Sequence, residues 1–234
     1  MCSSDLHGND ELIELWWIHY GRYLHERMQG KPTQHITGRQ EFYGREFRVT
    51  PDVLIPRPET EHLIEAALPF GNAATRILDI GTGSGAIAAT LALETKARVI
   101  ATDISLPALA VAQRNAQALG ASVDFTACDL GSAFTDASFH LIVSNPPYVA
   151  ERDRATLQPE VRDREPALAL FGGDDGLTVY RRLIPEAARL LRPGGWLMME
   201  LGEATPVSEM LSDWHDVEIR NDLAGIPRVV IARK

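Results

Sequence analysis

The sequence predicts an α/β fold: an open, mostly parallel sheet of seven strands closed by an antiparallel pair at the C-terminus. Three observations predict it. From residue 76 onward, short apolar runs alternate with stretches of helical periodicity, the pattern of strands joined by helical crossovers. A glycine-rich loop, "DIGTGSGA" (79–86), follows the first of those runs and opens a helix. A later run, "LIVS" (141–144), stops at Asn145-Pro146-Pro147-Tyr148. Two prolines cannot continue a central strand, because each lacks an N–H and fixes φ.

The elements follow in order. Residues 12–28 place Ile13, Trp16, Trp17, Tyr20, Leu24 and Met28 on one helical stripe, ended by Gly30 and Pro32. A stripe this wide calls for burial against a partner. Residues 40–50 alternate around Gly44 and predict a β-hairpin. Pro58 suits the first turn of a helix, and Glu59 and Glu61 suit its positive end; that helix runs to Leu68. Strand 76–80 precedes helix 86–94, and strand 98–103 precedes helix 107–119. Strands 123–127 and 140–144 follow, then helix 177–191, closed by "RPGG". Strand 196–201, a short helix 204–211, and an antiparallel pair 217–221 and 228–232 complete the chain.

The 234 residues suffice for one large α/β domain and a small additional piece. A net charge of −9 argues against a general nucleic-acid binder, and no direct nucleic-acid contact is expected. Two cysteines, Cys2 and Cys128, are too few for a disulfide framework. No apolar run approaches the ~20 residues of a membrane span, and no signal peptide opens the chain. The expectation is a cytoplasmic protein with no membrane partner. The seven histidines never pair at i,i+4 or with a cysteine, so no metal is expected.

In the glycine loop, Gly81, Gly83 and Gly85 alternate with Thr82 and Ser84. Without Cβ atoms the backbone turns tightly and approaches a ligand. Asp103 lies twenty positions beyond Gly83, at the end of the next strand, where a carboxylate accepts hydrogen bonds from ribose hydroxyls. The loop alone fits NAD as well as S-adenosylmethionine. Asp79, before the first glycine, favours S-adenosylmethionine, its carboxylate supporting an ammonium group directly or through water. "ACDLG" (127–131) ends the third strand and sets Asp129 and Leu130 where an adenine would reach. A turn cap is the other reading of Asp129.

Asn145 then falls beside the reactive end of the cofactor. A planar NH2 group keeps its lone pair conjugated, and that lone pair must be aimed at a methyl sulfonium. The Asn145 side-chain oxygen can accept one N–H hydrogen and the Pro146 carbonyl the other. Tyr148 is expected to lie flat over the planar group and exclude water. Alignment and electrostatics then carry the reaction, with no strong base required beforehand.

These residues resemble the Asn-Pro-Pro-Tyr methyltransferases of amides and exocyclic amines. Four segments sharpen the likeness: residues 30–68, "ILDIGTGSGAIA" (77–88), "IVSNPPYV" (142–149) and "EPALALFGGDDGLTVYRRL" (165–183). Together they resemble the peptide chain release factor N5-glutamine methyltransferases (the PrmC/HemK family). The resemblance implies a Rossmann-like class I fold and transfer of a methyl from S-adenosyl-L-methionine to the glutamine of a Gly-Gly-Gln loop. It implies cofactor contacts from Gly81 to Gly85 and from Asp103, Leu130 and Asn145, with Asn145, Pro146, Pro147 and Tyr148 clamping the glutamine amide. Residues 1–38 are expected to be a remnant of an N-terminal helical docking domain, 39–57 a hairpin linker and 58–234 the methyltransferase domain. Leu130 departs from the family, which often has an aromatic residue there. Arg57, in "IPRPETE", either positions the loop or binds an acidic group, and this motif separates the chain from ribosomal-protein glutamine methyltransferases. Competing readings are glutamine methylation of a ribosomal protein, N-methylation of an exocyclic base amine, and a nonenzymatic adenosine- or NAD-binding module.

Overall fold

The computed structural model describes residues 14–234. Helices α1 (Glu14–Met28) and α2 (Thr33–Thr37) lead into a hairpin of β1 (Arg39–Phe42) and β2 (Arg45–Arg48). A 3₁₀ turn at Pro58–Thr60 opens α3 (Glu61–Ala67). Then come β3 (Arg76–Ile80), α4 (Ala86–Glu94), β4 (Arg98–Asp103), α5 (Leu106–Leu119), β5 (Val123–Ala127) and β6 (Phe139–Ser144). The remainder is α6 (Pro159–Arg164), α7 (Ala167–Leu170), α8 (Thr178–Leu190), β7 (Leu191–Glu200), α9 (Ala204–Met210), β8 (His215–Asn221) and β9 (Pro227–Arg233).

The large sheet has the order β5-β4-β3-β6-β7-β9-β8, with β9 running against both its neighbours. The chain moves outward from β3 through β4 to β5, then returns to lay β6 on the other side of β3. That reversal opens a crevice at the carboxyl ends of β3 and β6, where ligands of open sheets collect. The strands are apolar on both sides because both faces are covered. Ile77, Val99, Leu141, Val143 and Met198 enter one core with Leu63 and Leu91. Leu78, Ile100, Ile142, Leu197 and Met199 enter the other with Leu183 and Leu190. Each such fully buried aliphatic side chain contributes about 1.5–3 kcal/mol.

β7 begins earlier than the expected strand 196–201. Its pairing to β6 starts at Leu191↔Phe139 and resumes at Trp196↔Leu141. Residues 192–195 therefore bulge inside the strand, with Gly194 at φ +75°. Helix α8 ends at Leu190, so "RPGG" (192–195) does not close the helix as expected but lies inside the strand that follows it directly.

Residues 149–176, to which the sequence assigned no helix or strand, carry out a specific task. After the prolines the chain passes through a 3₁₀ turn (Glu151–Thr156), α6 and α7, and returns alongside itself. Val149 N–H donates to the Leu170 carbonyl (3.0 Å), and Gly172 N–H to the Val149 carbonyl (2.9 Å). A Cβ on Gly172 would collide with the Pro147 carbonyl, and one on Gly176 with the Tyr148 carbonyl. Gly172 and Gly176 thus let one backbone lie directly against Pro147 and Tyr148.

The apolar stripe of α1 is not covered by the core. Trp16, Trp17, Tyr20, Leu24 and Met28 are exposed, while Ile13 lies outside the described residues. An Arg27–Glu160 ion pair and a bond from Arg164 to the Gln29 carbonyl tie the end of α1 to α6. No helix among the described residues is long and apolar enough to cross a membrane.

Buried Asn115 on α5 joins the hairpin to the glycine loop. Its Nδ2 donates to the carbonyls of Arg48 (2.9 Å) and Ser84 (2.8 Å), and its Oδ1 accepts from Arg48 N–H (2.8 Å). Asn115→Ala is expected to destabilise the fold by about 2–4 kcal/mol, because buried backbone groups lose their partners. Chemical denaturation measures this, and a loss below about 1 kcal/mol would contradict the junction. Gly176→Ala is expected to cost about 1–3 kcal/mol more than Gly225→Ala. Both glycines have positive φ, but a Cβ on Gly225 meets open space. Equal losses for the two would show that the backbone approach at Gly176 is not needed.

Candidate active site

The carboxyl ends of β3, β4, β5 and β6 surround one cavity. Gly81 to Ser84 form one side, with Asp103 to Ser105 and Cys128 to Leu130 beside them. Ser144 to Pro147 line it at the end of the neighbouring strand β6, and Arg57, Thr60, Pro166 and Leu168 line it as well. Gly81, Gly83 and Gly85 have φ values of +74°, +54° and +80°. The N–H groups of Gly81 and Thr82 both donate to the Thr102 carbonyl at 2.9 Å. A Cβ on Gly85 would stand 2.9 Å from that of Ala112, so this glycine also lets α4 approach α5.

Asp103 fixes the loop as well as lining the cavity. Its Oδ2 accepts from Gly83 N–H and its Oδ1 from Ser105 N–H, both at 2.9 Å. Each carboxylate oxygen keeps further acceptor capacity for a ligand hydroxyl. Asp79, expected near an ammonium group, is fully buried beneath the loop and is not part of the cavity wall. It accepts from Thr82 Oγ1 (2.6 Å), while its Oδ1 has no hydrogen-bond partner. Burial pushes its pKa up to about 7, against the opposing effect of the Thr82 bond.

Asp129 pairs with Arg182 at 2.5 Å, so its carboxylate is engaged at the cavity mouth. Leu130 adopts a left-handed backbone, φ +53°. Cys128, beside them on the wall, was not singled out from sequence. Arg57 pairs with Glu165, which is buried and also accepts from Ile55 N–H (3.0 Å). This contact joins "LIPRP" to "EPALAL" across the rim.

The end of β6 is held tightly. Ser144 Oγ donates to the Ile80 carbonyl (2.7 Å), tying β6 to β3 at its last residue. Asn145 Nδ2 then donates to Thr60 Oγ1 (3.2 Å), and Thr60 Oγ1 donates to Glu200 Oε2 (2.6 Å). Tyr148 OH donates to Glu200 Oε1 (3.1 Å), and Tyr180 OH to the Glu200 carbonyl (2.7 Å). Asn145 Oδ1 and the Pro146 carbonyl accept no hydrogen bond from the described protein residues. Two acceptors thus remain open where Asn145 and Pro146 line the cavity.

Tyr148 does not stand over the cavity. Its ring packs against Gly202, where a Cβ would meet Tyr148 Cδ2 at 2.7 Å. Burial, with Glu200 adding to it, raises the phenol above its ordinary pKa and keeps it neutral. Burial likewise raises the Glu200 carboxyl, opposed by the Thr60 and Tyr148 hydroxyls and by Arg228. Thr60 and Glu200 were not recognised from sequence. Thr60 sits inside the noted "RPETE" stretch, and Glu200 is a lone acid ending the apolar run "WLMME".

Residues 60–162 match the methyltransferase small domain family. The chain is 51% identical to the release factor glutamine methyltransferase of Koribacter versatilis, covering 92% of this chain and 79% of that one. It is 48% identical to the enzyme of the same name from Geobacter sulfurreducens, covering 88% and 75%. Among solved structures, a methyltransferase from Pyrococcus furiosus superposes with a TM-score of 0.61 at 20% identity, over 93% of this chain and 98% of that one. The Thermus thermophilus 16S rRNA N2 G1207 methyltransferase, solved with AdoMet and guanosine, gives 0.58 at 21% identity, over 84% and 49%. At such identities these two structures share the fold. The sequence relatives go further: the chain belongs to the release factor glutamine methyltransferase family.

Proposed function

We propose that this protein transfers a methyl group from S-adenosyl-L-methionine to the side-chain amide nitrogen of the glutamine in the Gly-Gly-Gln motif of peptide chain release factors. The observation that carries the reading is the pair of acceptors, Asn145 Oδ1 and the Pro146 carbonyl, that no described protein group engages in two residues lining a glycine-loop cavity. The residues present fit the cofactor. Gly81, Thr82, Gly83, Ser84 and Gly85 form a backbone cradle, Asp103 has acceptor capacity for ribose hydroxyls, and Asp129 and Leu130 offer a wall for adenine. When bound, S-adenosylmethionine supplies a methyl carbon made electrophilic by its sulfonium.

Asn145 and Pro146 each take one hydrogen of the glutamine NH2, which holds the nitrogen with its lone pair directed into the cavity. Pro147 completes the wall on that side. As the new N–C bond forms the methyl–sulfur bond breaks, its electron pair remaining on sulfur. The amide proton becomes acidic only then and is lost to solvent, so no strong base is required first. Tyr148 acts from behind, bracing the loop through Glu200. Arg57, oriented by Glu165, suits an acidic or carbonyl group of the incoming loop. The exposed face of α1 supports reading residues 1–38 as a docking region, 39–57 as a hairpin linker and 58–234 as the methyltransferase domain. Such a substrate places the activity in the cytoplasm. The net charge of −9 favours a protein partner over nucleic acid.

The direct test is incubation with a purified release factor and labelled S-adenosylmethionine, followed by mass mapping. The expected product carries one methyl on the Gly-Gly-Gln glutamine. No transfer there, or transfer instead to a ribosomal protein or a base amine, would overturn the reading. Asn145→Ala is expected to slow transfer by about 10²–10³-fold, the scale of losing one preorganised partner of the reacting group; near-parental turnover would remove Asn145 from the clamp. Asp103→Ala is expected to weaken cofactor binding by about 1.5–3 kcal/mol, as for a charged hydrogen bond. Titration calorimetry reads this directly, and an unchanged Kd would contradict the ribose role.

A further inference from the structure

Glu200 is a buried acid that takes no direct part in the proposed reaction. Two hydroxyls point at it, Thr60 Oγ1 at 2.6 Å and Tyr148 OH at 3.1 Å. A carboxylate accepts hydrogen bonds and donates none. The one hydroxyl hydrogen of Thr60 is therefore directed at Glu200, which leaves Thr60 only lone pairs for its other neighbour. That neighbour is the Asn145 side-chain amide, at 3.2 Å. An amide has hydrogens on one arm and lone pairs on the other. Only the NH2 arm fits against Thr60; the reverse sets two oxygens face to face.

We infer that Glu200, acting through Thr60, is a positioning residue that fixes which end of the Asn145 amide faces the cavity. The inference rests on the reading of Asn145 as an acceptor for a substrate NH2. It explains why the site takes a group that donates N–H hydrogens. A flipped Asn145 would offer NH2 to NH2 and repel it. The same carboxylate holds Tyr148, three residues further on, so both ends of the Asn145–Tyr148 loop answer to one buried group. Burial raises the Glu200 carboxyl, with Glu59 adding to it, while the Thr60 and Tyr148 hydroxyls and Arg228 favour its charged form.

Thr60→Val removes the hydroxyl and keeps the shape, whereas Thr60→Ser keeps the hydroxyl. The first readout needs no substrate. In ¹H–¹⁵N spectra of the protein alone, the Asn145 side-chain NH2 should be protected from solvent exchange in the parent and in Thr60→Ser. Thr60→Val should lose at least roughly 10-fold of that protection. The second readout is kinetic. With the release factor, kcat of Thr60→Val should fall roughly 10- to 100-fold, the cost of misorienting a catalytic contact. KM for the release factor and the cofactor Kd should stay within about threefold, and Thr60→Ser should restore kcat. Parental amide protection and kcat in Thr60→Val would overturn the inference, as would failure of Thr60→Ser to restore them. So would a loss of kcat matched by a rise in cofactor Kd. If Thr60→Val does not fold, Thr60→Ala removes the same hydroxyl and is read the same way. A parent protein that methylates no release factor would defeat the proposed function, and the amide signals alone would then decide this inference.

Discussion

The pairing of β6 with β3, stopped at Ser144, is the constraint on which the site depends. The register sets Ile80 opposite Ser144, so Gly81 and Asn145 leave the sheet side by side. The glycine loop begins on one strand and the acceptor pair on its neighbour, at the crevice where the chain reverses its path across the sheet. The prolines make the stop absolute. Without N–H groups they cannot extend the ladder, and their fixed φ aims the backbone away from it. A backbone that leaves a sheet this abruptly must find other partners, and those partners come from distant parts of the chain.

Three buried polar side chains make long-range ties around the site. Asn115 joins the hairpin to the glycine loop, Glu165 joins Arg57 and Ile55 to the rim, and Glu200 joins Thr60 to Tyr148. Each connects segments far apart in sequence, and each is buried with its hydrogen bonds made. A buried polar group is costly when unpaired and strongly directional when paired. Hydrophobic burial holds the layers together but tolerates small slides; these bonds do not. They are placed at the seams between the sheet, the linker and the returning loop, where a slide would move Asn145 relative to the glycine loop.

Much of the sheet was legible because its signals are local. The runs ending at Ile80, Asp103 and Ser144 read as strands, and the structure ends them there. The "DIGTGSGA" and "SNPPY" loops were found for the same reason: glycine and proline constrain the backbone whatever surrounds them. What escaped was non-local. Another backbone lies against Gly172 and Gly176 of "FGGDDG", and nothing within the segment says which one. Thr60 read as part of a helix start and Glu200 as an interruption in an apolar strand; their meaning lies only in their mutual contact across 140 positions. The ring of Tyr148 was expected over the cavity, but Gly202 opens a place for it behind Asn145, and a missing Cβ on another strand end cannot be read locally. The aromatic stripe of α1 was legible as a stripe, while its exposure depends on what packs there.

The placement of charge accounts for the chemistry such a site can support. Asn145 and Pro146 offer neutral acceptors, and the acid behind them is engaged by the Thr60 and Tyr148 hydroxyls. A free carboxylate in contact with a methyl sulfonium would itself be a nucleophile and would compete with a weakly nucleophilic amide. Setting the charge one hydroxyl away keeps its orienting effect and removes its reactivity. Asp103 and Asp129 stand at the ends of β4 and β5, across the glycine loop from Asn145 and Pro146. The site thus separates the groups that hold a cofactor from those that align an amide. Alignment by neutral acceptors, held in direction by a buried acid, is how this fold can make a poor nucleophile react without first deprotonating it.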